Sequence, residues 1–147
     1  GARIMSLQEP TSKMSKSDEN VNAYVLILDP PETIMRKFKR AVTDSEAVVR
    51  YDVENKPGIS NLMSIYSSVT GKTLEQIENE FEGKGYGDFK VSVGEAVVET
   101  LRPIQEQYQK LMKSKDYLQD VMIKGAEDAN RIAGRTLSKV YRKIGLA

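Results

Sequence analysis

The chain has 147 residues, room for one compact domain, and 22 Lys plus Arg against 21 Asp plus Glu give it a net charge of +1. That balance excludes a uniformly basic histone-like or ribosomal protein, although local basic patches can survive a neutral total. Cysteine and histidine are both absent, which removes disulfide frameworks, thiolate zinc sites and every His-dependent nucleophile or acid–base mechanism from these residues.

Residues 1–20 are polar and read as a loop, with at most a short strand at Arg3–Leu7. Tyr24–Leu28 is a β-prone apolar run ending at Asp29-Pro30-Pro31, either a short strand or the buried start of the next helix. From Pro31 the period changes. Ile34, Met35, Phe38, Ala41 and Val42 share one helical face, while Arg36, Lys37, Lys39 and Arg40 fall on the other. Asp29 or Pro31 starts this helix, since proline lacks the amide hydrogen that a first turn leaves unpaired. Residues 43–58 look irregular. Ile59, Leu62, Met63, Tyr66 and Val69 then mark a second helix that Gly71 ends.

Thr73-Leu74-Glu75-Gln76 has the form of a capping box, and the short helix it opens stops by Gly83. The glycine turn 83–87 follows a helix and lacks the Lys-Ser/Thr of a phosphate loop, so it reads as a connector. Asp88 can cap a long helix through Phe89, Val93, Val97, Leu101, Ile104, Tyr108 and Leu111, with a kink expected where Pro103 breaks the ladder. Further helices are expected at 117–124 and 126–144. No apolar run approaches the roughly 20 residues of a membrane span, and no signal peptide is visible, so a reducing cytoplasmic setting is expected. The first residues are Gly1-Ala2-Arg3-Ile4 rather than Met, which suggests a piece of something longer.

One segment stands out chemically: Lys13-Met14-Ser15-Lys16-Ser17. Two ammonium groups three residues apart on a loop can straddle a polyphosphate, and the serine hydroxyls and backbone amides add neutral donors. Positive charge aimed at a developing pyrophosphate lowers a transition state without proton transfer. The carboxylates Glu75, Glu78, Glu80 and Glu82 read as a solvated helix face rather than an acid–base pair. Met5, Met35, Met63, Met112 and Met122 fit apolar faces as core filler, whereas Met14 sits in the polar loop. Two basic stripes remain, Arg36-Lys37 with Lys39-Arg40, and Arg131, Arg135, Lys139 and Arg142 at helical spacing.

The pentapeptide KMSKS is the second signature of class I aminoacyl-tRNA synthetases, and it stands at residues 13–17 letter for letter. With Gly1–Leu7, Asp18, Ile27-Leu28-Asp29, Thr43-Asp44-Ser45, Lys56–Leu62 and the turn at 82–87, the whole chain resembles the tryptophanyl branch of that class in bacteria, from the KMSKS loop onward. The resemblance implies a mainly α fold, a bundle of about five or six helices (residues 30–147) of anticodon-binding type. A loop and short strand at residues 1–29 would then be left over from a Rossmann-type nucleotide-binding domain. It implies activation of tryptophan with Mg·ATP and charging of tRNA(Trp), in an enzyme that is homodimeric when full length. Lys13 and Lys16 would contact the ATP phosphates along with Ser15 and Ser17. Ile4 and Met14 would help hold the adenine through backbone groups and side-chain contact. The histidine signature and the amino-acid pocket belong to the other half of the family's fold, so these residues alone are expected to be inactive, and no metal site is expected in them. Phosphate contacts to tRNA are expected from Arg36, Lys39, Arg131, Arg135 and Lys139, with Tyr51, Tyr86 and Tyr141 as base-stacking candidates. A tyrosine-specific relative and a helical RNA-binding module with a coincidental KMSKS loop are the alternatives.

Overall fold

The computed structural model describes residues 3–113, which fold as one short 3₁₀ turn (Val21–Ala23) and four helices: α1 Pro31–Lys39, α2 Pro57–Thr70, α3 Leu74–Glu80 and α4 Tyr86–Lys113. The mainly α expectation holds. The helices expected beyond residue 113, the stripe Arg131–Arg142, Met122 and Tyr141 lie outside the described residues.

The N-terminal segment is a hairpin rather than a sheet strand. Met5 and Lys13 form an antiparallel bridge, flanked by hydrogen bonds from the Ser6 amide to the Ser12 carbonyl (2.8 Å) and from the Met14 amide to the Ile4 carbonyl (3.2 Å). Tyr24–Leu28 forms neither the strand nor the helix start anticipated for it. Its side chains alternate, Val25 and Ile27 inward and Leu26 and Leu28 outward, but no partner strand meets it among the described residues. Its backbone is satisfied instead by a turn, with Asp29 N–H donating to the Leu26 carbonyl (3.0 Å), and by the Gln105 side chain of α4, which donates to the carbonyls of Ile27 (2.7 Å) and Asp29 (2.9 Å).

α1 starts with Pro31 in its first position, and Ile34, Phe38 and Ala41 face the core as the period requires. Asp29 does not cap it. Its carboxylate is buried, accepting from the Leu26 amide (3.0 Å) and from the Lys37 ammonium (2.6 Å). Lys37 therefore departs from the exposed basic face and is 3% exposed. An isolated buried charge is costly, and the Asp29 carboxylate makes this one tolerable.

α2 begins directly after Lys56, with Pro57 in its first position, and Gly58 lets it press on the preceding chain: a Cβ there would lie 2.1 Å from the Val42 carbonyl oxygen. Gly71, at φ 78°, ends the helix in the left-handed region that glycine tolerates best. The capping box at Thr73 and Gln76 forms reciprocally and opens α3. α4 starts at Tyr86, two residues before Asp88, so Asp88 lies in the first turn, where its charge complements the helix dipole. Pro103 lies within α4, and the inward face runs Phe89, Val93, Val97 and Leu101 before Tyr108 and Met112 emerge into solvent.

α4 packs across α1 and α2, and α2 packs on α3. Tyr66, Phe81 and Phe89 meet edge to face with centroids 4.8–5.9 Å apart, tying α2, the end of α3 and α4 together. Ile4, Leu7 and Met14 of the hairpin belong to the same core. Met14 is thus an anchor rather than a loop residue, while Met112, expected to be core filler, is half exposed.

Candidate functional site

The hairpin that carries KMSKS has a buried root and an open tip. Ile4, Leu7 and Met14 are at most 8% exposed, whereas Lys13, Ser15, Lys16 and Ser17 are all exposed. Ile4 and Met14, expected to help hold the adenine through backbone groups and side-chain contact, are both packed in the core, and the Ile4 carbonyl accepts from the Met14 amide. At the tip, Ser15 and Ser17 hydroxyls lie 2.8 Å apart, and the Asp18 amide donates to the Ser15 carbonyl (3.2 Å). The Asp18 carboxylate accepts from the Asn20 amide (2.9 Å), which leads into the 3₁₀ turn. These local bonds shape the tip into a series of turns that presents both lysines outward.

The hairpin root is held from three directions. The Leu7 amide donates to the Ala23 carbonyl (3.0 Å), the Val42 amide donates to the Leu7 carbonyl (2.8 Å), and Gln8 Nε2 donates to the Arg40 carbonyl (2.9 Å). Asn61 of α2 takes both polar groups of Met5, accepting from its amide at Oδ1 (2.8 Å) and donating from Nδ2 to its carbonyl (2.9 Å). A cleft of about 470 Å³ lies beside this contact, lined by Arg3, Met5, Thr11, Tyr51, Val53 and Asn61 among others.

Of the basic stripe on α1, Arg36, Lys39 and Arg40 remain on the surface and Lys37 does not. Among the stacking candidates, Tyr51 is at the surface, with its amide donating to Glu78 (3.0 Å). Tyr86 is half buried, its hydroxyl is committed to an internal network, and the Lys56 ammonium lies over its ring, 5.5 Å from the centroid. Glu75, Glu80 and Glu82 are exposed as expected of a solvated face, while Glu78 is partly covered.

That network was not visible in the sequence. The Lys56 ammonium, 1% exposed, donates to Asp44 (2.9 Å), Glu46 (2.7 Å) and the Tyr86 hydroxyl (2.8 Å). The hydroxyl in turn donates to Asp44 Oδ1 (2.6 Å) and lies 3.1 Å from the Val48 carbonyl. Ala47 makes the turn between these acceptors at φ 60°, in the left-handed region. Burial works against the charge on Lys56, but the bonds to Glu46, Tyr86 and Asp44 outweigh it and hold the ammonium well above the usual lysine range. Burial likewise pushes the Asp44 carboxyl up, and the bonds from Tyr86 and Lys56 more than reverse it. Asp44 and Lys56 both stood in segments that carried the resemblance, yet partners 12 and 42 residues apart leave no periodic signal.

Among the described residues no group of three or more His, Cys, Asp or Glu is placed to hold a metal ion, and no helix is long and apolar enough to cross a membrane.

A family model described as tRNA synthetases class I (W and Y) matches residues 2–102. The chain belongs to this family. The class I match removes the alternative of an unrelated helical module with a coincidental KMSKS sequence. The tryptophan–tRNA ligase of Bacillus anthracis is 56% identical over 147 residues, covering 100% of this chain and 44% of that protein. The tryptophan–tRNA ligase of Clostridium acetobutylicum is 52% identical, covering 99% of the chain and 43% of its own length. Among solved class I synthetases, the tryptophanyl-tRNA synthetase of Mycoplasma pneumoniae superposes with a TM-score of 0.70 at 31% identity, over 99% of this chain and 44% of that one. The Campylobacter jejuni tryptophanyl-tRNA synthetase, in a structure complexed with ADP and tryptophane, gives 0.66 at 28% identity over the same shares. The chain thus spans less than half the length of the class I synthetases it matches.

Proposed function

We propose that this chain is the KMSKS-bearing part of a tryptophan–tRNA ligase, which activates tryptophan with ATP and transfers it to tRNA(Trp). The observation that carries the reading is the hairpin: two exposed lysines three residues apart at the tip of a segment whose root is locked in the core. As the adenylate forms, negative charge moves onto the departing pyrophosphate. Lys13 and Lys16 are the residues that meet it, with Ser15 and Ser17 and the tip amides as neutral donors. Fixed positive charge of this kind acts on rate, because it gains interaction as the charge develops. Residues 1–29 supply this loop to the nucleotide-binding domain, and residues 30–147 form the tRNA-binding part. ATP enters as a substrate with Mg²⁺. No carboxylate cluster among the described residues suits that ion, so no step is routed through it. The working enzyme is a cytoplasmic homodimer, and the isolated chain is inactive.

The test is made in the full-length enzyme. Lys13→Ala or Lys16→Ala slows adenylate formation about a hundredfold, the typical effect of deleting one preorganised donor, and leaves tryptophan affinity unchanged. A wild-type activation rate in both variants would make KMSKS a mere surface loop. The tRNA-binding part contacts the RNA backbone through Arg36 and Lys39, and through Arg131, Arg135 and Lys139 outside the described residues. Neutralising a true phosphate contact flattens the log–log salt dependence of tRNA affinity by roughly 0.7 to 0.9 per site.

A further inference from the structure

α2 buries three polar residues, Ser60, Asn61 and Ser64, of which Asn61 is the largest. Asn61 sits in its interior, 5% exposed, although asparagine is a poor residue for a helix interior because its amide competes with the backbone. It caps neither end of α2. Its amide is spent on a single distant residue, Met5, and takes both of that residue's backbone groups.

The bridge geometry explains why both groups are available. The hydrogen bonds beside the Met5–Lys13 bridge belong to Ser6 with Ser12 and to Met14 with Ile4. In such a pair the opposed residues point their own N–H and C=O away from each other, toward the outer edges of the ribbon. Met5 therefore presents a donor and an acceptor on the side facing α2, and Asn61 receives them as a neighbouring strand would. Gly58, one turn earlier, supplies a second route. Its missing Cβ lets α2 touch the Val42 carbonyl, and the Val42 amide holds Leu7. Lys13 is the residue directly across the bridge from Met5.

We propose that Asn61 is a positioning residue for the activation step: it fixes the backbone of Met5, and through the bridge the root of Lys13, relative to the helical body. This inference rests on the phosphate role of Lys13. The side-chain amide reaches no substrate itself. It sets where the ammonium stands when pyrophosphate departs, and so couples α2 to the rate of activation rather than to tryptophan binding.

The experiment uses the full-length enzyme, with rates counted per active site from the adenylate burst so that loss of folded protein cancels. Asn61→Leu removes both bonds at similar volume. Asn61→Asp keeps the acceptor for the Met5 amide but turns a carboxylate oxygen against the Met5 carbonyl. Both variants are expected to lose at least about tenfold in kcat for activation, the scale on which small misplacements act, with the KM for tryptophan unchanged and Asn61→Asp the milder of the two. In a Lys13→Ala background, Asn61→Leu is expected to cost nothing further. An unchanged kcat in both variants, or losses that multiply in the double variant, would overturn the proposal while leaving the Lys13 reading intact. A Lys13→Ala enzyme with a wild-type rate would overturn both.

Discussion

At the hairpin tip, Lys13 and Lys16 hold their ammonium groups at the surface, while Lys37 and Lys56 sit in the interior at 3% and 1% exposure. Each buried lysine has acids supplied by the same chain: Asp29 for Lys37, Asp44 and Glu46 for Lys56. Identical side chains thus serve two ends. Inside, the charge is consumed in holding the loop 43–50 against α4 and the turn at 26–29 against α1. At the tip it faces outward, on a backbone that the core immobilises. What separates the two is not the residue type but burial: Lys37 and Lys56 are enclosed together with their carboxylates, whereas Lys13 and Lys16 stay at the surface.

The largest effect that could break this contrast is on stability. Lys56→Met is expected to cost about 3 kcal/mol, the low end for breaking a buried pair because its carboxylates are partly solvated. Lys13→Met is expected to stay within about 0.5 kcal/mol, as surface substitutions do. Urea unfolding of the two variants checks this, and equal losses would dissolve the distinction. Gly58→Ala is next. Its Cβ would meet the Val42 backbone rather than a flexible side chain, so α2 must shift, at a cost of about 2 kcal/mol. Thermal unfolding reads it. Should Gly58→Ala be neutral, the close approach of α2 to the hairpin root is not tight.

The smallest effect sharpens the interior side of the comparison through pH. The Asp44 carboxyl is lowered in the fold, so its contribution is present at neutral pH and is lost as pH falls through its folded value, below about pH 4. Lys56 is raised, so its contribution is full at neutral pH and is lost only as pH climbs past about 10. The melting temperature should therefore run flat between those limits and drop outside them. In Lys56→Met the alkaline drop should shrink.

Much of this architecture could be read from residue order alone, for local reasons. The helix periods around Phe38, Leu62 and Phe89, the stop at Gly71 and the capping box at Thr73 each depend on residues within a turn or two of one another. KMSKS was legible because its chemistry is contiguous. What escaped is long range. Lys37 lies among surface-like neighbours and becomes buried only because Asp29 folds back onto it. Tyr24–Leu28 has strand composition but meets Gln105, 78 residues from Ile27, instead of a strand. Asn61 is one of several polar residues in α2, and only its pairing with Met5, 56 residues away, singles it out.

Ala47 carries a consequence of another kind. An L-residue in the left-handed region costs about 1–2 kcal/mol, and glycine's extra chain entropy would give back about 0.5–1 of that. The change leaves roughly half a kcal/mol in favour of glycine. Alanine and glycine codons differ at a single base. This bend is therefore one nucleotide from a more relaxed backbone, at a site whose two neighbours, Glu46 and Val48, already aim their oxygens at Lys56 and Tyr86. Sequence drift has an easy downhill step here, one that would leave every partner of the buried ammonium in place.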